Sequence, residues 1–266
     1  MEQRYFIELV FNGKNYHGWQ IQENAISVQE TLNKGLSILL KENIETTGCG
    51  RTDTGVHAKQ FFVHFNADLS IVKDSRQPNN DNPEIISEQS GLINLKHHLN
   101  RILPIDIAIK RIIPVNNDAH ARFDAVSRTY EYVVYQEKNP FLQESGYFIH
   151  DHLNVELMNE AAKLLLNYVD FSCFSKSRTQ VLTNNCNITK AVWLQIDDRL
   201  IFVITANRFL RNMVRAIVGT LLEIGREKIT QDDFMKIIEG KKRTDAGVSV
   251  PACGLYLTKV EYPFMD

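Results

Sequence analysis

The sequence predicts an α+β fold built on a central, largely antiparallel sheet flanked by helices. Three observations carry that expectation. Apolar segments run strand, helix, two strands, helix, strands, and then follow a similar course again, without the steady βαβ alternation of a parallel doubly wound sheet. Two strand-like runs, "ITKAVWLQID" and "RLIFVITAN", are separated by almost nothing, as in a hairpin. The chain has 266 residues, 44% of them hydrophobic, enough for one large core or two smaller ones. No repeat recurs at a fixed period, but the course suggests two α/β halves, 1–105 and 106–266, dividing near Pro104–Asp106.

The elements follow in order. Arg4–Phe11 alternates as a strand. "SVQETLNKGLSILLKEN" places Val28, Leu32, Leu36, Leu39 and Leu40 at helical spacing, with Ser27 as N-cap and Glu30 three positions on. "GCGRTDTGVHA", Gly48–Ala58, reads as a tight turn leading into the strand "KQFFVHFNA". Lys73–Gln89 is polar and rich in Asn and Pro, and is expected to be a mobile excursion away from any nucleic acid, because Ser75–Gln89 has one basic residue against three acidic ones. "LINLKHHLNRIL" resumes as a helix stopped by Pro104. "DIAIKRIIPV" and "SRTYEYVVYQ" are strands, and "VELMNEAAKLLLNY" is a helix. After the hairpin, Asn207–Arg226 reads as one long helix and "TQDDFMKIIEG" as a short capped one. "GLYLTKVEY" closes as a strand.

Composition narrows the function. Thirty Lys and Arg stand against 32 Asp and Glu, a net charge of −2, so any nucleic-acid site must be a local basic face. Cys49, Cys173, Cys186 and Cys253 are scattered with no C-x-x-C pair, which argues for reduced thiols in a cytoplasmic protein and against zinc. "MEQRYFIELVF" is too short and too charged for a signal peptide, and no run approaches the length of a membrane span.

Asp53 is the first candidate for chemistry. A turn aspartate ordinarily caps its own backbone. Here Arg51 is two residues away and glycines on both sides admit a close approach, so the carboxylate could instead be a nucleophile, a base or a metal ligand. It lacks a D-x-D partner, and His57 and His64 are badly spaced for a metal site. In "NRFLRNMVRAIVG" the spacing puts Arg208, Arg211 and Arg215 on one helical face. Arg215, between Val214 and Ala216, is expected to be partly buried and to need a carboxylate, for which Asp53 is the chosen candidate. Tyr130 and Tyr132 alternate along a strand, either as core or as a platform for a base. Leu255 reads as core.

Together these blocks resemble the tRNA pseudouridine synthase A family. "GRTDTGVHA" looks like its catalytic signature. "YHGWQIQ" with "SVQETL", "NRILPIDIAI", "AHARFDAVSRTYEY", "DFSCFSK", "NRFLRNMVRAIVG" and "PACGLYLTKVEYP" resemble its other blocks, in order, over almost the whole chain. Two positions depart: Asn12 stands where the family often has an aspartate, and Thr54 replaces an alanine after the catalytic aspartate.

The resemblance implies the pseudouridine synthase fold, with two similar α/β halves around a basic cleft. It implies isomerisation of uridine at positions 38, 39 and 40 of the tRNA anticodon stem-loop, by a homodimer, with no cofactor and no metal. It makes Asp53 the essential carboxylate in the first half, with Arg215 as its basic partner in the second. Tyr130 would pack on the target base, Leu255 would form an apolar wall, and Arg51 would hold the base flipped out. Arg122, Arg128, Arg208 and Arg211 would line the path of the RNA backbone, while Lys241–Arg243 in "GKKRT" reads more readily as a solvated turn than as a phosphate clamp. A non-catalytic RNA-binding module would not need Asp53. An aspartate-dependent hydrolase would want a second carboxylate and a metal beside it.

Overall fold

The structure, a computed structural model, describes residues 2–69, 88–176 and 183–265. The excursion Lys73–Gln89 lies outside the described residues except for Glu88 and Gln89, which open a helix. The chain forms two compact units, one of residues 2–54 with 58–125 and one of 55–57 with 126–265. The division thus falls after Ala125 rather than at 105, because the strand that follows Pro104 pairs with the first strand of the chain.

In the first unit, β1 (Gln3–Phe11) pairs antiparallel with β3 (His57–Ala67) on one side and β4 (Ile107–Pro114) on the other. A two-residue strand, β2 (Thr47–Gly48), adds to β3. α1 (Val28–Leu40) begins where the Ser27 side chain accepts from the Glu30 amide, as the capping pattern predicts. It packs against α2 (Glu88–Ile102), which lies along β4. Phe6, Ile7, Leu9, Leu32, Leu36, Phe61, Val63 and Leu99 are all sealed from water, each contributing about 1.5–3 kcal/mol by its removal from solvent. The run Phe61–Phe65 is buried on both faces of β3, His64 included, which is why its other four residues are all apolar.

In the second unit the strand order is β9 (Leu255–Glu261), β5 (Ser127–Tyr135), β8 (Arg199–Ala206), β7 (Ile188–Ile196), all antiparallel. β7 and β8 form the expected hairpin, turning at Asp197 with φ +53°. β6 (Tyr147–Phe148) is a short parallel addition to β5. α3 (Val155–Leu164) packs on β7 and on α4 (Met213–Gly225), and α5 (Gln231–Gly240) packs on α3. α5 carries a full capping box between Thr230 and Asp233. Phe171, Phe174, Phe202, Phe234 and most of α4 form the core.

Two expected helices are shorter than their patterns. α3 gives way after Leu164 to a tight 3-10 turn, Leu165–Asn167. The helix expected over Asn207–Arg226 begins only at Met213, because Asn212 takes φ +66° and breaks the spiral. Arg208 and Arg211 therefore lie in irregular chain before α4 and share no helical face with Arg215.

Candidate active site

The loop that bears Asp53 is rooted by polar groups of α1. Gln29, buried, donates from Nε2 to the Thr46 carbonyl at 2.6 Å, and its Oε1 accepts from the Ile21 amide at 3.0 Å. Asn33 Oδ1 accepts from the Thr46 amide and hydroxyl at 3.2 and 2.7 Å. β2 is thereby fixed beside β3, and the Cys49 amide donates to the Phe62 carbonyl at 2.8 Å. Trp19 fills the space beneath, its ring 4.5 Å from that of Phe61.

Beyond Gly50 the chain leaves the strand. Gly18, at φ +88°, lies so close that a Cβ there would stand 2.2 Å from the Thr52 carbonyl oxygen, so the N-terminal "YHGWQ" block acts as a backing plate for the aspartate loop. Arg51 is exposed, Asp53 half-buried and Thr54 exposed. Asp53 is thus partly accessible, on a loop whose backbone is crowded by Gly18. The two departures cost nothing visible: Asn12 caps the turn Gly13–Asn15 by accepting from the Lys14 amide, and the Thr54 side chain faces water.

Immediately after Thr54 the chain enters the second unit. Gly55 turns at φ +79°, Val56 is buried in that unit's core, and His57 Nε2 lies 3.2 Å from the Cys253 carbonyl. The His57 ring stacks on Tyr256 at 4.7 Å, and burial pushes its pKa down.

Arg215 stands in the first turn of α4, half-buried. Its Nε donates to the Val250 carbonyl at 2.7 Å. The segment from Gly247 to Cys253 is a strap tied at every second or third residue. The Gly247 amide donates to Thr220 Oγ1, Ser249 Oγ accepts from Asn212 Nδ2 and Arg243, and the Pro251 carbonyl accepts from the Tyr132 hydroxyl. Burial raises the Tyr132 phenol far above its ordinary range, so it stays a donor, although the nearby Arg215 charge opposes the shift. The strap delivers the chain into β9 at Leu255, which is buried and registered opposite Tyr132.

Tyr130 is half-buried, edge-on to Phe209 at 5.1 Å, and lies opposite Leu257 in the register. Arg128, on the same face of β5, donates to the Asn207 carbonyl at 2.8 Å. Arg208 is half-buried and Arg211 exposed. Arg122 is exposed in the first unit, its guanidinium 5.7 Å from the Phe123 ring. In the "GKKRT" turn, Arg243 is spent on the Gly247 carbonyl and Ser249, and Lys241 pairs with Asp170 at 2.8 Å. That turn is a structural knot more than a phosphate clamp.

Sequence reasoning missed Gln29, Asn33, Asn212 and Ser249, and the hydroxyl of Tyr132 as an anchor for the strap. Their signal is weak, since each acts through a hydrogen bond to a residue distant in the chain. Among the described residues all four cysteines are free thiols, and no group of three or more His, Cys, Asp or Glu side chains could hold a metal ion. No helix among the described residues is long and apolar enough to cross a membrane.

A family model described as tRNA pseudouridine synthase matches residues 161–263, from α3 through β9, including Arg215 and Leu255. Similarity to whole proteins extends over the aspartate loop as well. The chain is 49% identical over 261 residues to the tRNA pseudouridine synthase A of Parabacteroides distasonis, covering 98% of this chain and 96% of that one. It is 47% identical over 264 residues to that of Bacteroides thetaiotaomicron, covering 98% and 91%. A more distant relative, the tRNA pseudouridine synthase A of Francisella tularensis, is 36% identical over 263 residues, covering 98% and 95%. With the signature loop, the Arg215 helix and the strap in place over this full-length similarity, the chain belongs to the tRNA pseudouridine synthase A family.

Proposed function

We propose that this protein isomerises uridine to pseudouridine at positions 38, 39 and 40 in the anticodon stem-loop of tRNA, with Asp53 as the essential carboxylate. The observation that carries this reading is the Asp53 loop itself, half-buried and braced from behind by Gly18, in a chain that belongs to the family throughout its length. The reaction breaks the N1–C1′ bond and joins C5 of the same base to C1′. The proton on C5 is lost and one is gained at N1, so nothing else enters or leaves and no cofactor is called for.

Asp53 acts in its ionised form, by attack on C1′ as the base departs, by removal of the C2′ proton, or by attack on C6. Arg215 is its basic partner, a cation directed at negative charge in the reaction centre. The Arg215 Nε bond to the strap fixes the direction of the guanidinium, which supports a positioned rather than a roaming charge. Tyr130 packs on the target base and Leu255 closes the pocket wall. Arg51 holds the base after it leaves the stack, a step that costs a few kcal/mol. Arg122, Arg128, Arg208 and Arg211 contact phosphates. The working form is a cytoplasmic homodimer whose two copies share one tRNA, which reconciles a net charge of −2 with RNA binding.

The test is incubation of an unmodified tRNA transcript with the protein, followed by chemical labelling of pseudouridine. Conversion confined to positions 38–40 is expected. Conversion in another arm of the tRNA would overturn the site assignment, and no conversion would overturn the reaction.

A further inference from the structure

We propose that Phe123 is a stacking platform for an unpaired base of the RNA substrate, presented on a loop that two histidines hold rigid. The proposal rests on the reading of the substrate as tRNA. Phe123 is 73% exposed, and a large apolar ring left in water gains the fold nothing. Yet its loop is tied by several hydrogen bonds. The amides of Arg122 and Phe123 both donate to His120 Nδ1, at 3.1 and 3.3 Å. His120 is fixed in turn, its amide donating to Asp124 Oδ2 at 2.7 Å while the Asp124 amide returns to the His120 carbonyl at 3.1 Å.

The loop is also pinned to the sheet. The Ala121 amide donates to His64 Nδ1 at 3.1 Å, and Arg4 Nη1 donates to the Ala119 carbonyl at 3.0 Å. His64 sits on β3, stacked over Phe6 of β1. The His120 ring lies edge-on to His64 at 4.6 Å and against Phe123 at 4.2 Å. A rigid, exposed aromatic with a guanidinium beside it has the features a base and its phosphate need: a π-face, low ordering cost and a cation. A base turned out of a stem leaves its neighbours unstacked, which supplies such a ligand.

The experiment measures the dissociation constant of the full chain for an unmodified tRNA transcript. Base–aromatic stacking is worth about 1–3 kcal/mol, so Phe123→Ala should weaken binding roughly 5- to 150-fold. Phe123→Trp, which keeps the π-face, should bind within about twofold of wild type. Phe123→Leu, which keeps the apolar bulk but not the ring, should weaken binding like the alanine variant. The slope of log Kd against log salt should be unchanged in Phe123→Ala and smaller by about one in Arg122→Gln. Binding of Phe123→Ala or Phe123→Leu within twofold of wild type overturns the platform. Pseudouridine formation by the wild type on the same transcript is read alongside: if it is present while Phe123→Ala binds normally, the platform alone fails, and if it is absent, the reading beneath it fails.

Discussion

Arg215 and Val250 are joined twice: the Arg215 Nε donates to the Val250 carbonyl at 2.7 Å, and the Val250 amide donates to the Arg215 carbonyl at 3.2 Å. One residue therefore fastens the strap by its backbone and its side chain together, and the strap reciprocally aims the guanidinium.

Replacing Arg215 with Met should remove most single-turnover activity. Met keeps the apolar stem but not the charge. The bond from Nε to the Val250 carbonyl is lost with it, so the strap should loosen as well. Arg215→Lys should not restore full activity, because an ammonium cannot reproduce the planar fork and its Nε contact. Single-turnover activity of Arg215→Met within about twofold of wild type would contradict the proposed role of the charge.

Asp53→Asn should abolish pseudouridine formation while leaving tRNA affinity within about tenfold. Affinity comes mainly from phosphate contacts, whereas the chemistry needs a carboxylate. Residual activity above a few per cent of wild type in single turnover would count against a covalent or proton-transfer role.

Gly18→Ala should damage the aspartate loop from behind. The new methyl would stand 2.2 Å from the Thr52 carbonyl oxygen, so the backbone on one side or the other must move, and the φ of +88° adds about 1–3 kcal/mol of strain. If the loop does shift, kcat should fall tenfold or more with tRNA affinity nearly unchanged. Wild-type kcat and melting temperature together would show that Gly18 braces nothing.

Stability should fall on the acidic side of neutrality through His64. Burial first, then the charges of His120 and Arg4, pull its pKa down from 6.5 to about 4, with Asp124 opposing. The unfolded chain takes up a proton between those values while the folded chain does not. The stabilising contribution is therefore complete above about pH 7 and is lost as the pH drops from 6.5 toward 4. Urea midpoints measured across pH 4–8 should show this slope, and His64→Gln should flatten it. Identical slopes in the two proteins would place the acid sensitivity elsewhere.

Much of the fold could be read from local pattern. Ser27 caps α1 because a hydroxyl at that offset satisfies a free amide, and the β7–β8 hairpin follows from alternation around a two-residue turn. The start of α4 was harder. "NRFLRNM" carries an apolar spacing compatible with helix, but Asn212 adopts a left-handed backbone that no periodicity registers, and the face of three arginines dissolves with it. The constrained backbone around Asp53 was legible from its glycines, of which Gly55 turns at φ +79°. The residues that brace it, Gln29 and Asn33, were not, because side-chain bonds to a carbonyl or amide 13 to 17 residues away leave no trace in spacing.

Val56 has a consequence for how the chain can be divided. It is 1% exposed and belongs to the second unit's core, although the residues on either side of Gly55–His57 belong to the first. The polypeptide crosses between units three times, after Thr54, after His57 and after Ala125. No single cut can separate the two halves as self-sufficient modules. A fragment starting at Val126 lacks a plug for its own interior, and the complementary fragment carries that plug as an orphaned apolar side chain two residues past Thr54. Gene duplication or domain exchange acting on the second unit would have to bring this tripeptide along, although in sequence it is embedded in the first.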